Sequence, residues 1–300
     1  MVVADVGKDR VLVVGTGLLG DAITAEMRRA GTLVATCSRH APAGHDSSWK
    51  PLDVTDAAAC RRLCDEVRPT AVVLAHGPSS IEWCTANPAA AMAAHLTAAA
   101  SIVAATDAWL LLLSTDNVFP GAREAYAEDD DTCPANAYGR AKLAAEHVVS
   151  ARGNALVHRI SLVYGWKRAG ARETFFDRTI RTLRRGDILS APYDQWTTPV
   201  VVADVADAVS RLIHEKPTGT LHLGGPDRVD RVTWARAIAE TFCLPPTNVV
   251  AVPASETQYA DRPTNSCLRS RRAQSIRALD GFAARGIRTA ARDLRREEPE

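Results

Sequence analysis

Near its start the chain reads Arg10-Val11-Leu12-Val13-Val14-Gly15-Thr16-Gly17-Leu18-Leu19-Gly20. A short apolar run is followed by a G-x-G-x-x-G turn and by a helical pattern over 18–30, which Gly31 closes. A glycine-rich turn between a strand and a helix is typical of dinucleotide binding. Gly15 permits the tight turn, Gly17 lets the backbone approach a pyrophosphate, and Gly20 lets the helix pack on the strand. The free N–H groups at the helix start favour an anion.

Beyond this turn, predicted strands at 33–37, 71–75, 109–113 and 155–160 alternate with helical patterns at 57–67, 88–106 and 136–152. Continuous apolar strands separated by helices form parallel sheets covered on both faces, and right-handed crossovers then give a doubly wound sheet. We therefore predict an α/β, Rossmann-type doubly wound parallel sheet with a smaller C-terminal substrate domain.

The pattern changes after about residue 165, where prolines become frequent, although 203–215 and 233–242 still indicate helices and 220–223 a strand. We expect a cofactor-binding domain over 1–164 plus about 198–222. The substrate-binding domain is expected over 165–197 plus about 223–287. A charged, frayed tail is expected over 288–300.

Composition excludes several classes of protein. The 300 residues are 46% hydrophobic and 24% charged, which is ordinary for a globular chain. The net charge of +1 gives no basic field for nucleic acid. Seven scattered cysteines without a C-x-x-C pair indicate reduced thiols and no metal site. No apolar stretch is expected to span a bilayer, since the longest candidate, 108–113, is strand-sized, and 1–10 has no signal-peptide core. We therefore expect a cytoplasmic protein without a membrane partner.

The end of the second strand bears on the choice of cofactor. NAD-binding domains usually place an acidic residue there to hold the ribose diol. This chain has Ser38 and Arg39 instead, and an arginine can pair with a 2′-phosphate to which the serine can donate. We therefore predict NADP(H) in preference to NAD(H), with Asp53 near the adenine. The predicted cofactor contacts are Gly15, Gly17, Leu18, Leu19, Gly20, Ser38, Arg39, Asp53, Val54, Ala75, His76, Gly77, Tyr138 and Lys142.

A Y-x-x-x-K pair, Tyr138 and Lys142, lies in a predicted helix, where the spacing places both side chains on one face. A neighbouring ammonium favours the phenolate, so Tyr138 is suited to give a proton to a carbonyl oxygen. Thr115 follows the fifth apolar run, at the sheet edge where open α/β sheets bind ligands. We therefore predict Thr115, Tyr138 and Lys142 as catalytic residues, with Thr115 donating to the carbonyl oxygen.

Several longer stretches carry a family resemblance. They are 83–88 (WCTANP), 114–121 (STDNVFPG), 134–146 (PANAYGRAKLAAE), 162–165 (LVYG) and 262–268 (RPTNSCL). The chain resembles the extended short-chain dehydrogenases/reductases and, more narrowly, the dTDP-4-dehydrorhamnose reductase family over nearly its whole length. The resemblance implies the Thr115/Tyr138/Lys142 set, NAD(P)H-dependent reduction of a 4-keto group on a nucleotide-linked deoxysugar, and a role in biosynthesis. The short-chain scaffold also implies a homodimer.

The chain departs from the family pattern at four places. Val14 replaces a glycine before the turn, and Ala75-His76-Gly77 replaces an Asn-Ala-Ala stretch beside the nicotinamide. His95 replaces an asparagine, and Asn117 replaces a tyrosine expected to face the sugar, so the substrate can differ from the usual rhamnose precursor. The predicted substrate contacts are His76, Asp116, Asn117, Tyr164, Trp196 and Arg262. Trp166 is a further candidate, and Arg168 and Arg172 are expected to be solvated.

Two other functions remain open at this point. The same resemblance includes a non-catalytic, NADP-binding regulatory subunit of methionine adenosyltransferase, which acts by binding a partner enzyme. It also includes nucleotide-sugar epimerases and dehydratases, which keep NAD tightly bound. The intact catalytic set argues against the first alternative, and the missing acid after the second strand argues against the second. The sugar, the stereochemistry of the product, the oligomeric state and any metal dependence are not fixed by the sequence.

Overall fold

A seven-stranded parallel sheet forms the centre of the computed structural model, which describes residues 9–166 and 173–299. The strands lie in the order β3-β2-β1-β4-β5-β6-β11. Their bounds are β1 Arg10–Val14, β2 Leu33–Ser38, β3 Trp49–Pro51, β4 Ala71–Leu74, β5 Trp109–Thr115, β6 Ala155–Ile160 and β11 Gly219–Leu223. The strand order reverses at β1, so the crevice between the ends of β1 and β4 is the expected ligand position.

Helices cover both faces of this sheet, as the continuous apolar strands predicted. Alternate residues of β1 point to opposite faces: Val11 and Val13 join one core cluster, and Leu12 and Val14 join the other. The first cluster includes residues of α1 (Leu18–Arg29) and α8 (Val202–Glu215). The second includes residues of α2 (Ala57–Val67), α5 (Ala98–Ala105) and α6 (Ala137–Ser150). The predicted doubly wound α/β architecture is confirmed.

The C-terminal part builds a third core cluster beside the sheet. Its helices are α7 (Phe175–Arg184), α9 (Arg231–Thr241) and α10 (Ile287–Arg296), with strand β8 (Leu189–Pro192) parallel to β13 (Val249–Val252). Two further strand pairs connect this part to the sheet: β7 (Val163–Tyr164) with β10 (Val200–Val201), and β9 (Trp196–Thr197) with β12 (Val229–Asp230). The boundaries of the two domains stay a prediction.

The expected frayed tail is wrong for most of its length. Residues 287–296 form α10, whose apolar side chains Ile287 and Leu294 are buried in the third cluster. The indole N–H of Trp166 also donates to the carbonyl of Leu294 at 2.7 Å. The many arginines of this segment make its narrow apolar stripe hard to recognise in the sequence, and burial of that stripe holds the helix in place.

One apolar helical segment is longer than the strand-sized run predicted as the longest apolar stretch. Within the described residues, α3 (Ile81–Ala86) is followed by α4 (Pro88–Met92), a π-helical turn (Ala93–Thr97) and α5. By length and composition alone, residues 88–105 are long and apolar enough to cross a membrane. The prediction that no apolar stretch is long enough to span a bilayer is therefore wrong. In the structure, this segment packs against α2 and α6.

Candidate active site

The glycine turn shows a division of labour among its three glycines. Gly15 has a φ of +107°, and a Cβ there would lie 2.7 Å from the carbonyl oxygen of Ala75. A Cβ on Gly20 would overlap the Gly15 carbonyl. A Cβ on Gly17, in contrast, would meet no protein atom within 4 Å. The turn therefore needs Gly15 and Gly20 for its own shape, while Gly17 borders open space before the first amides of α1. This cradle fits the pyrophosphate of a dinucleotide.

The ends of β2 and β3 place the predicted selectivity residues at the surface. The Ser38 hydroxyl donates to the carbonyl of His40 at 2.7 Å and accepts from Thr16 and Trp49, both at 2.9 Å. Its single proton is already used, so the expected donation from Ser38 to a phosphate is not present in this structure. Arg39 is exposed. Hydrogen bonds from Thr55 lower the pKa of Asp53, which is also exposed.

After β4, the backbone of Ala75, His76 and Gly77 lies between the glycine turn and His95. Both ring nitrogens of His76 are buried without a hydrogen-bond partner among the described residues. Burial, aided by the charge of Lys142, lowers the pKa of His76 to about 3. Gly77 has a φ of +95°, and a Cβ there would overlap the His95 ring. His95 Nε2 lies 3.0 Å from the Pro78 carbonyl, so this nitrogen carries the proton of the neutral ring.

The predicted catalytic residues come from β5 and α6. Thr115 is the last residue of β5, and Tyr138 and Lys142 lie one turn apart on α6. Lys142 is 4% exposed, and its Nζ donates to the Leu113 carbonyl at 2.5 Å. Burial lowers its pKa to about 8, although Glu146 opposes the shift. The structure thus brings the Tyr–Lys pair beside the strand that ends in Thr115.

The first turn of α6 is fastened to the residues that follow β5. Asn136 caps the helix, because its side-chain oxygen accepts from the Gly139 amide at 2.8 Å. Its Nδ2 donates to Asn117 Oδ1 at 3.0 Å and to the Asp261 carbonyl at 3.3 Å. A Cβ on Gly139 would overlap the Asn117 carbonyl, so only glycine permits this approach. The Tyr138 ring also packs edge-on against His95, with centroids 5.6 Å apart.

Asp116 is a buried carboxylate held by neutral donors. Thr115 donates to Asp116 Oδ1 at 3.1 Å, Asn117 Nδ2 donates to the same oxygen at 2.8 Å, and Ser161 donates to Oδ2 at 3.3 Å. Burial raises the pKa of Asp116 despite these hydrogen bonds and one from Ser266. The amide of Asn117 is therefore occupied within the protein, although Asn117 still lines the cleft.

A cleft runs from Asp116 to the C-terminal part of the chain. Asp116, Asn117, Trp196 and Arg262 line its inner section, as predicted for substrate contacts. The Arg228 guanidinium covers the Trp196 ring at 4.2 Å, and Arg262 pairs with Glu82 at 3.5 Å. The cleft is also lined by residues that were not predicted as substrate contacts. They come from separate segments, and Ser266 lies in the family stretch 262–268; among them are Arg178, Gln195, Thr197, Arg231, Gln258 and Ser266.

Two aromatic candidates are placed elsewhere. Tyr164 is fully buried between Phe176 and Trp234, and it does not line the cleft. Trp166 packs on Phe176 and bonds to Leu294. Both side chains are core residues of the C-terminal part, which corrects the expectation of substrate contact. Arg168 and Arg172 lie outside the described residues. No group of three or more His, Cys, Asp or Glu side chains suited to a metal ion occurs within 9–166 and 173–299.

The model of the RmlD substrate binding domain family matches residues 9–294. The chain belongs to this family. A curated relative, the dTDP-4-dehydrorhamnose reductase of Streptomyces griseus, is 33% identical over 79% of this chain and 76% of its own length. The methionine adenosyltransferase 2 subunit beta of Rattus norvegicus is 29% identical over 86% of this chain and 80% of its own length.

A solved structure has the same fold. The dTDP-4-dehydrorhamnose reductase of Bacillus anthracis in complex with NADP superimposes with a TM-score of 0.85, covering 97% of this chain and 100% of its own at 24% identity. The family resemblance read from the motifs is confirmed, and the fold extends over both parts of the chain.

Proposed function

We propose that this protein is an NADPH-dependent reductase of the short-chain type that acts on the 4-keto group of a nucleotide-linked deoxysugar. The observation that carries the proposal is the placement of Tyr138 and Lys142 on α6, beside the β5 strand that ends in Thr115. Relatives named as reductases of dTDP-linked keto sugars support this substrate class. The cleft is lined by Arg231, Arg262 and Trp196, so it presents guanidinium groups to a nucleotide diphosphate, and Arg228 already covers one face of the Trp196 ring.

The roles of the side chains follow from their surroundings. A bound reduced nicotinamide supplies the hydride. Tyr138 gives its phenolic proton to the ketone oxygen, so the carbonyl becomes an alcohol. The Lys142 ammonium stabilises the phenolate that remains. Thr115 orients the ketone oxygen once its hydroxyl proton rotates away from Asp116. Positioning of these groups contributes much of the rate acceleration.

Tyr138→Phe tests this assignment directly. Loss of the phenolic proton is expected to lower turnover by about two to four orders of magnitude, because general-acid catalysis contributes that much. NADPH affinity should stay close to that of the wild type. The measurement follows NADPH absorbance with dTDP-4-keto-6-deoxyglucose or its 3,5-epimer, and NADPH binding is titrated separately. Turnover retained by the variant would rule the assignment out.

A non-catalytic regulatory role is the second candidate, because the beta subunits of methionine adenosyltransferase 2 are relatives of similar identity. This role predicts NADPH binding without NADPH consumption for either sugar, and co-purification with a partner enzyme. An epimerase or dehydratase would instead retain nicotinamide through purification. The absorbance assay identifies a reductase, and nicotinamide released on denaturing the freshly purified protein separates an epimerase or dehydratase from a regulatory subunit.

The preference for NADP(H) over NAD(H) rests on Arg39. Its exposed guanidinium follows β2, and no acidic residue occupies positions 37–40. Arg39→Ala should weaken NADPH binding by about tenfold or more, the loss of a charge-assisted phosphate contact, and leave NADH binding nearly unchanged. Fluorescence titration with both dinucleotides measures the ratio. Equal losses for the two would contradict the preference.

A cytoplasmic location and a homodimer complete the proposal. All seven cysteines are free thiols, and five of them are buried, which suits a reducing compartment. The dimer follows from the family resemblance, and sedimentation of the purified protein tests it.

A further inference from the structure

A buried ion pair lies one helical turn beyond Lys142. Arg159 Nε donates to both carboxylate oxygens of Glu146, at 3.1 and 3.2 Å, and its Nη2 donates to Oε2 at 2.8 Å. The side chains of Arg159 and Glu146 are 8% and 4% exposed. Burying two charges costs much of what their attraction gains, so an ion pair in this position is weak evidence for stability alone. The ion pair lies beside the active site, where it can act on the catalytic residues.

Consecutive residues of β5 fasten consecutive turns of α6. The Leu113 carbonyl accepts from Lys142, and the hydroxyl of the next residue, Ser114, donates to Glu146. Thr115 follows directly. These two hydrogen bonds fix the position of α6 along β5, and they therefore fix the position of Tyr138 relative to Thr115.

Glu146 is also the anion that acts on Lys142. Four residues separate them on α6, so their side chains share one face. The other ionisable groups around Lys142 are Tyr138 on the same helix, His76 after β4 and His95 in the π-helical turn. Burial keeps both histidines neutral at pH 7, and β5 offers only a carbonyl.

One cation, Arg159, acts on Glu146 from a neighbouring strand. Arg159 on β6 neutralises the carboxylate, and His222 on β11 lies 3.5 Å from Arg159 with its pKa lowered by burial. The charge of Glu146 is thus divided between Lys142 and Arg159.

We propose that Glu146 is a positioning residue for the reaction, which fixes Lys142 against β5 and keeps its amine protonated, while Arg159 limits this second effect. The consequence for turnover rests on the proposed function, whereas the effect on Lys142 does not.

Direct titration of Lys142 tests the proposal. The chain has five lysines, so the full-length protein labelled with ¹³C at lysine Cε gives few signals, and Lys142→Met assigns the relevant one. Glu146→Gln keeps the shape and removes the charge, and it should lower the pKa of Lys142 by about one unit or more. Arg159→Gln should raise that pKa, because it frees Glu146 from its competing cation. The Glu146→Gln/Arg159→Gln double variant should return close to the wild-type value.

The opposite signs separate an electrostatic role from a packing defect. Ser114→Ala is the matched control: it removes one of the two hydrogen bonds between β5 and α6 but no charge, and the pKa of Lys142 should stay within about 0.3 unit. Should Arg159→Gln fail to fold, Glu146→Asp decides, since it retains the charge and should stay nearer to the wild type than Glu146→Gln. An unchanged pKa in Glu146→Gln, or shifts of the same sign in both single variants, would overturn the proposal.

The titration needs no substrate, so its outcome is independent of the proposed function. If the wild type consumes NADPH with a keto sugar, the decline of kcat above the pKa of Lys142 should move to lower pH in Glu146→Gln, while KM for NADPH stays unchanged. A wild type without any turnover would contradict the proposed function and leave the role of Glu146 toward Lys142 to the titration.

Discussion

At the scale of single residues, the three glycines of the G-x-G-x-x-G motif have different structural roles. Gly20→Ala should destabilise the protein by about 1–3 kcal/mol, because the added Cβ overlaps the Gly15 carbonyl and the turn must move. Gly17→Ala should leave stability within about 1 kcal/mol, since its Cβ meets only open space. It should nevertheless weaken dinucleotide binding, because the methyl group occupies the cradle. Urea unfolding and NADPH titration of both variants measure the two effects.

Each glycine variant serves as the control for the other. A Gly17→Ala protein with normal NADPH affinity would show that the cradle does not bind the pyrophosphate. A Gly20→Ala protein of unchanged stability would show that the turn adapts to a side chain. The motif predicted a separate role for each of the three glycines, and the contacts of each position show which of them the turn itself requires.

At the scale of elements, the N-terminus of α6 joins three parts of the site. Asn136→Ala removes the helix cap and the bonds to Asn117 and the Asp261 carbonyl. We expect a loss of about 0.5–2 kcal/mol in unfolding free energy from the cap. Turnover should fall as well, since Tyr138 lies two residues into the helix and Asn117 contacts Thr115.

Asp56→Ala provides the matched comparison. Asp56 caps α2 through the Ala59 amide at 3.0 Å, away from the cleft, so its removal should cost similar stability and leave turnover unchanged. Equal turnover in the two variants would show that the Asn136 network does not position the catalytic helix. Chemical denaturation and the NADPH assay report both properties.

At the scale of the whole molecule, buried histidines should make the fold sensitive to acid. Burial, then His222, lowers the pKa of His158 on β6 to about 3, against about 6.5 in an unfolded chain. Between these values the unfolded chain binds a proton that the folded protein does not, so stability falls as pH drops below about 6.5. His158→Leu should flatten this dependence by up to about 1.4 kcal/mol per pH unit.

The urea midpoint between pH 7.5 and 5.5 gives this slope. Exposed His40→Asn is the control and should follow the wild type. A His158→Leu protein whose stability falls as steeply as that of the wild type would assign the acid sensitivity to other groups, with His76 and His95 the next to replace.

The sequence by itself determined the doubly wound sheet and most of its elements. Local patterns suffice there, since β4 and the first five residues of β5 are continuous apolar runs and a glycine turn follows β1. Helix 57–67 was predicted to the residue, because Asp56 caps it and the Arg68-Pro69 step ends it. The prediction of the Tyr138–Lys142 pair followed from helical spacing, and its connection to Thr115 followed from the place of that residue after the fifth apolar run.

Tertiary structure decided what no local pattern contains. The lining of the cleft comes from distant segments that meet only on folding, so no local pattern marked Arg231, while Tyr164, despite its family motif, lies in the core. The arginine-rich end forms α10 because a stripe of four buried residues packs against the core cluster of the C-terminal part. The Ser38 hydroxyl donates its proton to the His40 carbonyl, a contact that depends on the turn of the backbone. Hydrogen bonding and burial depend on residues that meet only in the folded protein. The sequence therefore predicts what a side chain can do chemically, but it does not predict which partners the side chain contacts or how deeply it is buried.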